Sequence, residues 1–226
     1  METETPLRQG VLSWSGGKDS ALALWACRRR GWTIRWLLTT VTAPYARVSM
    51  HGVRVALLGA QARAVGVELR TLPIPSPCPN AEYAERMGRA VRSLVCEGAD
   101  GFVFGDLFLE DIRAYREEHL RSVGATARFP LWGLDTEQLA RRFVASGFRA
   151  RLCTLDPRRL DRAFAGAPYD DALLDTLPRG VDPCGENGEF HTFVHDGPVF
   201  HTPVPIRLGE VVERDGFVFA DLLPGP

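Results

Sequence analysis

Between residues 11 and 129, short apolar runs alternate with longer stretches of helical periodicity, and this alternation restricts the fold more than any other feature. Residues 11–14, 34–40, 67–72, 101–104 and 127–129 have the length and apolar content of strands. The intervening residues 19–30, 53–64, 80–97 and 110–123 carry helical spacing, with Asn80 placed to cap the third helix. Strands separated by helices of roughly 10 to 15 residues close into a parallel sheet through right-handed crossovers. The fold class expected is therefore α/β. A further helix is expected over residues 136–146. After Leu152 the stretch DPCGENGEFHTFVHDGPVFHTPVPI is turn-rich and extended, and residues 211–222 read as a hairpin around Asp215-Gly216. The expected division is a domain over residues 1–155 and a smaller, irregular α+β C-terminal region over 156–226.

Bulk properties exclude several partners. A formal net charge of −1 supplies no overall field toward nucleic acid or an acidic membrane, and no apolar run has the length of a membrane span. The polar N-terminus lacks the features of a signal peptide. Five widely spaced cysteines without a C-x-x-C pair fit reduced thiols, so a cytoplasmic protein is expected. The arginine triplet Arg28, Arg29 and Arg30 reads as a solvated helix end that complements the helix dipole.

The first strand runs into SWSGGKDS, residues 13–20, and Lys18 is the single lysine of a chain with 27 lysine and arginine residues. A strand, a glycine turn and a helix start place unpaired N–H groups and the positive end of the helix around a concave bend, which suits phosphate. Gly16 and Gly17 allow close backbone approach, and Ser15 and Ser20 add hydroxyl donors. Asp19 could cap the helix or help hold a magnesium ion. Lys18 would supply a compact charge on a flexible stem, which a rigid guanidinium fork does not reproduce. Asp19 follows Lys18, so the turn is not a Walker loop, and the dinucleotide fingerprint is absent from it.

The pattern S-G-G-x-D-S after a first strand resembles the motif of the PP-loop ATP pyrophosphatases. Together with PLWG at residues 130–133 and GENGEFHTFV at residues 185–194, WSGGKDSALAL is similar to the diphthine–ammonia ligase family, over residues 11–204. That resemblance implies a Rossmann-like sheet of the adenine nucleotide α-hydrolase (HUP) type. It also implies an amide ligase that adenylates a carboxylate with ATP, releases pyrophosphate and passes the acyl group to ammonia. By motif match, Ser15, Gly16, Gly17, Lys18, Asp19 and Ser20 would bind the phosphates, with Asp19 on Mg2+. Thr39, Thr40 and Val41 would lie beside adenine, and Gly105 would border the nucleotide.

For the acceptor the resemblance points to His51, Asp106, Arg113, Asn187 and His191, and for catalysis to Lys18, Glu186 and Glu189. Each has a plainer alternative. Asp106 could cap a turn, His51 could be structural, Arg113 could pair with Glu110 and Glu117 at helical spacing, and the Glu186/Glu189 turn could be a solvated hairpin. Trp132 is expected to pack the sheet end. Family members commonly read E-G-G-E-F-E-T, where this chain has Glu186-Asn187-Gly188-Glu189-Phe190-His191-Thr192, so the acceptor is more open than the ATP chemistry. The expected partners are ATP, free ammonia or a small amine, and a carboxylate acceptor such as one carried on a translation elongation factor. Two rivals remain: a PP-loop tRNA-modifying enzyme and a non-catalytic ATP sensor.

Overall fold

The computed structural model describes residues 5–226. The chain runs β1 (Gly10–Ser13), α1 (Lys18–Arg29), β2 (Ile34–Thr42), β3 (Arg47–Val48), α2 (Val55–Val65), β4 (Glu68–Ile74), α3 (Asn80–Cys96) and β5 (Gly101–Val103). It continues with α4 (Glu110–Arg121), β6 (Ala127–Arg128), α5 (Thr136–Ala145), β7 (Arg149–Leu155), α6 (Asp171–Thr176), β8 (Phe190–Asp196), β9 (Ile206–Arg214) and β10 (Phe217–Pro224).

The parallel strands of the first sheet lie in the order β4, β2, β1, β5, β6, and β3 adds a short antiparallel pairing to the end of β2. Counted along the chain this is the order 3-2-1-4-5 of a doubly wound sheet. Ligands bind at the carboxyl ends of such strands where the order reverses, here between β1 and β5. Both faces are covered, which is why Val11–Leu12 of β1 and Trp36–Leu38 of β2 are buried without alternation. On one face Val11, Trp36 and Phe102 pack against Val91 of α3 and Leu120 of α4. On the other, Leu12, Leu37 and Val103 join α1, α2, α5 and the second sheet in one large cluster.

Two local expectations differ from the structure. Pro79, not Asn80, occupies the cap of α3, where its fixed φ suits the helix entry. Asp19 lies inside the first turn of α1, whose cap is Gly17, so its carboxylate is free to meet Lys18 instead of capping.

The second sheet is antiparallel and regular, in the order β8, β7, β10, β9. β7, a strand not expected from the sequence and lying within the residues assigned to the first domain, pairs with β8 and β10. The change of sheet therefore falls between Arg128 and Arg149, ahead of the boundary expected at residue 155. The irregular impression came from residues 156–189, which hold only a 3-10 turn and the six-residue α6. The β9–β10 hairpin turns at Asp215 (φ 51°) and Gly216 (φ 79°), the left-handed pair of a two-residue hairpin turn. Among the described residues no helix is long and apolar enough to cross a membrane.

Candidate active site

The bend between β1 and α1 is held from the second sheet. Val194 N donates to the Gly16 carbonyl at 2.9 Å, and Lys18 N donates to Thr192 Oγ1 at 3.0 Å. Gln61 of α2, fully buried, donates to the Gly16 carbonyl at 2.9 Å and to the Val194 carbonyl at 2.5 Å, and accepts from Trp14 Nε1 at 3.1 Å. Gly16 has φ 80°, and a Cβ there would sit 2.6 Å from Gln61 Oε1, so glycine is required on both counts. Ser15 Oγ accepts from Gly17 N at 3.2 Å, and Ser20 Oγ donates to the Gly17 carbonyl at 2.9 Å. Lys18, Asp19 and Ser20 form the first turn of α1, where N–H groups have no carbonyl within the helix.

Lys18 is 3% exposed, and its Nζ lies 2.9 and 2.8 Å from the two Asp19 oxygens and 5.8 Å from the Phe190 ring centre. Burial opposes its charge, but Asp19, Cys184 and Glu186 outweigh that and raise its pKa. The only lysine is thus a fixed, charged ammonium at the site. Cys184 beside it is pushed up to about 12 by burial and is a thiol, not a thiolate nucleophile.

Two cavities meet at this bend, at the carboxyl ends of β1, β2 and β5. One, about 310 Å³, runs over Val11, Leu38, Thr40, Phe102, Phe104 and Tyr115 and has mainly apolar walls. The other, about 270 Å³, is polar, with Lys18, Asp19, Ser20, Gly105, Asp106 and Glu186 on its wall. They share Ser13, Ser15, His51, Phe104, Arg116 and His191. The pairing fits a nucleoside lodged in the first and a polyphosphate in the second.

The structure brings together Ser15, Lys18, Asp19, Ser20, Thr39, Thr40, His51, Gly105, Asp106, Glu186 and His191 on these walls. Thr39 spends its hydroxyl on the Trp14 carbonyl. Gly105 lies against α1, where a Cβ would meet the Asp19 carbonyl carbon and oxygen at 2.9 Å. Glu186 accepts from Leu107 N at 3.1 Å. Burial first, then the nearby Asp19, raises its carboxyl to about 7, in the range of a general base working near neutrality. His51 and His191 stack with ring centres 4.3 Å apart and planes at 26°. Burial is the largest cause that lowers both, His191 to about 4, so both rings are neutral at pH 7.

Other expected site residues are placed elsewhere. Glu189 is fully buried and lines neither cavity: Asp182 N (3.2 Å), Asn187 N (3.0 Å), Asn187 Nδ2 (3.2 Å) and Arg159 (3.5 Å) surround it with donors. It folds the turn, and Asn187 bonds it, so neither side chain reaches the cavity walls where the catalytic and acceptor roles were expected. Glu189→Gln should therefore cost about 1 to 3 kcal/mol of stability, because the amide turns an N–H toward donors. Denaturant midpoints check this, and an unchanged midpoint with lost turnover would restore the catalytic assignment.

Arg113 pairs with Glu117 at 2.8 Å and stacks over Phe129 and Trp132, at 5.0 and 4.7 Å, away from both cavities. One helical turn later Arg116, which the sequence reading passed over, lines both cavities, pairs with Asp106 at 3.1 Å and lies 4.4 Å over Phe104. No motif marks Gln61; only its contacts across the fold do.

A magnesium ion finds no protein-only site, since among the described residues no cluster of three His, Cys, Asp or Glu is placed to hold a metal. The donor set suits an ion carried on phosphate oxygens with a single carboxylate, which is how Mg2+ is commonly held.

Residues 8–127 match the family model of the diphthamide synthase N-terminal domain, and residues 135–218 match that of the diphthamide synthase C-terminal domain. The chain is 26% identical over 231 residues to the diphthine–ammonia ligase of Bos taurus, and 27% identical over 232 residues to that of Homo sapiens. Each alignment covers 91% of this chain and 85% of the relative. A 38% match over 89 residues to the diphthine–ammonia ligase of Schizosaccharomyces pombe covers 37% of this chain and 14% of that protein.

Proposed function

Because the chain belongs to the diphthamide synthase family, we propose that it is an ATP-dependent ligase that forms a carbon–nitrogen bond between a carboxylic acid and ammonia, as the names of its curated relatives describe for diphthine. The observation that carries this reading is the buried Lys18 at the head of α1, facing a polar cavity that also holds Glu186.

Adenine and ribose occupy the apolar cavity, and the phosphates lie against residues 15–20. A carboxylate oxygen of the acceptor attacks the α-phosphorus, the bond to the bridging oxygen of the β-phosphate breaks, and pyrophosphate leaves with the electron pair. Lys18 and the N–H groups at the start of α1 offset the charge that gathers on that leaving group. Mg2+, carried on the phosphates with Asp19 as its protein carboxylate, would supply further charge neutralisation. Ammonia then attacks the acyl carbon, AMP leaves with the carbon–oxygen bond pair, and the nitrogen gives up a proton. Glu186, on the wall of the same cavity, takes it. Arg116, held by Asp106, flanks the phosphates as a second cation.

ATP should yield AMP and pyrophosphate, with an ammonium-dependent increase, when a suitable acid is present. No AMP with any carboxylic acid, despite bound ATP, would leave a nucleotide sensor. The expected role of Glu186 makes a sharper test. Its carboxylate faces Lys18, Asp19, Asp106 and Arg116 and is lifted to about 7. Ammonium-dependent AMP release should rise as pH passes through that value, while Glu186→Gln should lose this limb and about a hundredfold in rate. Deprotonation of ammonium adds the same rise to both proteins, so the difference between their profiles is the readout. Superimposable profiles would remove Glu186 from the proton path.

A further inference from the structure

A third cavity plays no part in the steps above. It is a groove of about 860 Å³ between the β9–β10 hairpin and the β3 segment, walled by Tyr45, Met50, Val212, Phe217 and Phe219. Val48 and Met50 line both this groove and the apolar nucleotide cavity, and His191 lines the groove and both nucleotide cavities. The groove thus opens on the point where nucleoside and phosphate sites meet, which is where an acceptor carboxylate must arrive.

Its walls define what it can hold. Three arginines (Arg47, Arg54, Arg214) and three acids (Glu210, Asp215, Asp221) give it no formal net charge. Two of those cations are already spent, since Arg47 and Arg54 both bond Asp221, at 2.9 and 2.6 Å. Tyr45 and Met50 are 58% and 67% exposed, large apolar side chains left facing solvent. Met50 also holds a left-handed backbone (φ 65°), a conformation that bulky residues rarely keep unless the site requires it. The opposite wall is fixed: Gly52 (φ 65°) lies so close beneath Phe219 that a Cβ would come within 2.5 Å of its ring. A volume of this size takes a molecule far larger than a bare two-carbon acid.

The stacked His51 and His191 rings are uncharged near neutrality, and His51 Nδ1 is buried without a hydrogen-bond partner. The neutral imidazole at 191 adds no negative charge beside the phosphates and offers an approaching carboxylate a ring N–H.

Building on the nucleotide-site assignment above, we propose that this groove holds the body of the carboxylic acid acceptor, that the body is elongated, uncharged and apolar, and that His191 guides its carboxylate to the α-phosphate. The site then selects acids by the arm behind the carboxylate.

Calorimetry with three stable adenylate mimics separates this inference from the assignment beneath it. These are 5′-O-sulfamoyladenosine, its N-(3-phenylpropanoyl) derivative and its N-succinyl derivative. The phenylpropanoyl arm should tighten binding at least tenfold over the parent compound, and the charged succinyl arm less than threefold. Within each variant the ratio of armed to parent affinity is the readout, so general losses cancel. That ratio should fall below three in Tyr45→Asp, at an exposed position outside both nucleotide cavities, and in His191→Glu. Parent binding with no gain from the phenylpropanoyl arm, an equal gain from succinyl, or a ratio unchanged in both variants would overturn the proposal. Failure of all three compounds to bind would instead take down the nucleotide site, and the groove's role with it.

Discussion

Lys18→Ala should lower ATP turnover to AMP and pyrophosphate by at least a hundredfold, the scale on which removing one fixed donor to a developing anion acts. The ammonium is held within 3 Å of both Asp19 oxygens in a space that leaves it 3% exposed. Its position is therefore set before nucleotide arrives, and no reorganisation is needed as charge moves to pyrophosphate. Lys18→Arg should restore little, because a planar fork cannot enter a site closed by Asp19 and Phe190. The fold should tolerate the loss: Asp19 is about a third exposed and can take water in place of its partner. Pyrophosphate release and calorimetric ATP affinity, measured beside thermal melting, check both halves. Wild-type turnover and affinity in Lys18→Ala would remove the ammonium from the chemistry.

Gln61→Leu should produce the largest loss of stability. The side chain is fully buried and joins the Trp14 indole, the Gly16 carbonyl and the Val194 carbonyl. Leucine nearly conserves the volume, so the cost is polar. Gly16 keeps its bond from Val194 N, but the Trp14 N–H and the Val194 carbonyl lose their partner. Two such buried groups cost about 3 to 4 kcal/mol. For a chain of this size that is a fall of about 10 °C in Tm. A saturating ATP analogue should return part of it by mass action, because the displaced loop is the phosphate loop. A melting temperature within 2 °C of wild type would show that water or rearrangement satisfies the groups instead.

What the sequence made legible is local. The five parallel strands, the helices between them and the phosphate bend follow from hydrophobic period and glycine placement within a dozen residues. What it hid depends on distant partners. Glu186 and Glu189 sit three apart in one turn with the same chemistry, and only the donors at Asp182, Asn187 and Arg159 decide that the second turns inward. Arg113 and Arg116 are likewise one helical turn apart. Glu117, Phe129 and Trp132 claim the first, and Asp106 draws the second to the cavity. Gln61 meets partners 47 and 133 residues away. β7 follows a helix as the earlier strands do, so nothing in its own seven residues marks it as antiparallel.

The larger apolar cluster passes without a break from Leu12, Trp14 and Leu58 beside the first sheet to Leu152, Phe193 and Val218 of the second. The molecule is consequently not modular. A chimera joined between residues 128 and 135, with its latter half grafted from a distant homologue, would have to match every interlocked side chain at that seam. New acceptor preferences are more readily reached by point changes along the solvent-facing rim near Tyr45 and Met50, where no such seam is crossed.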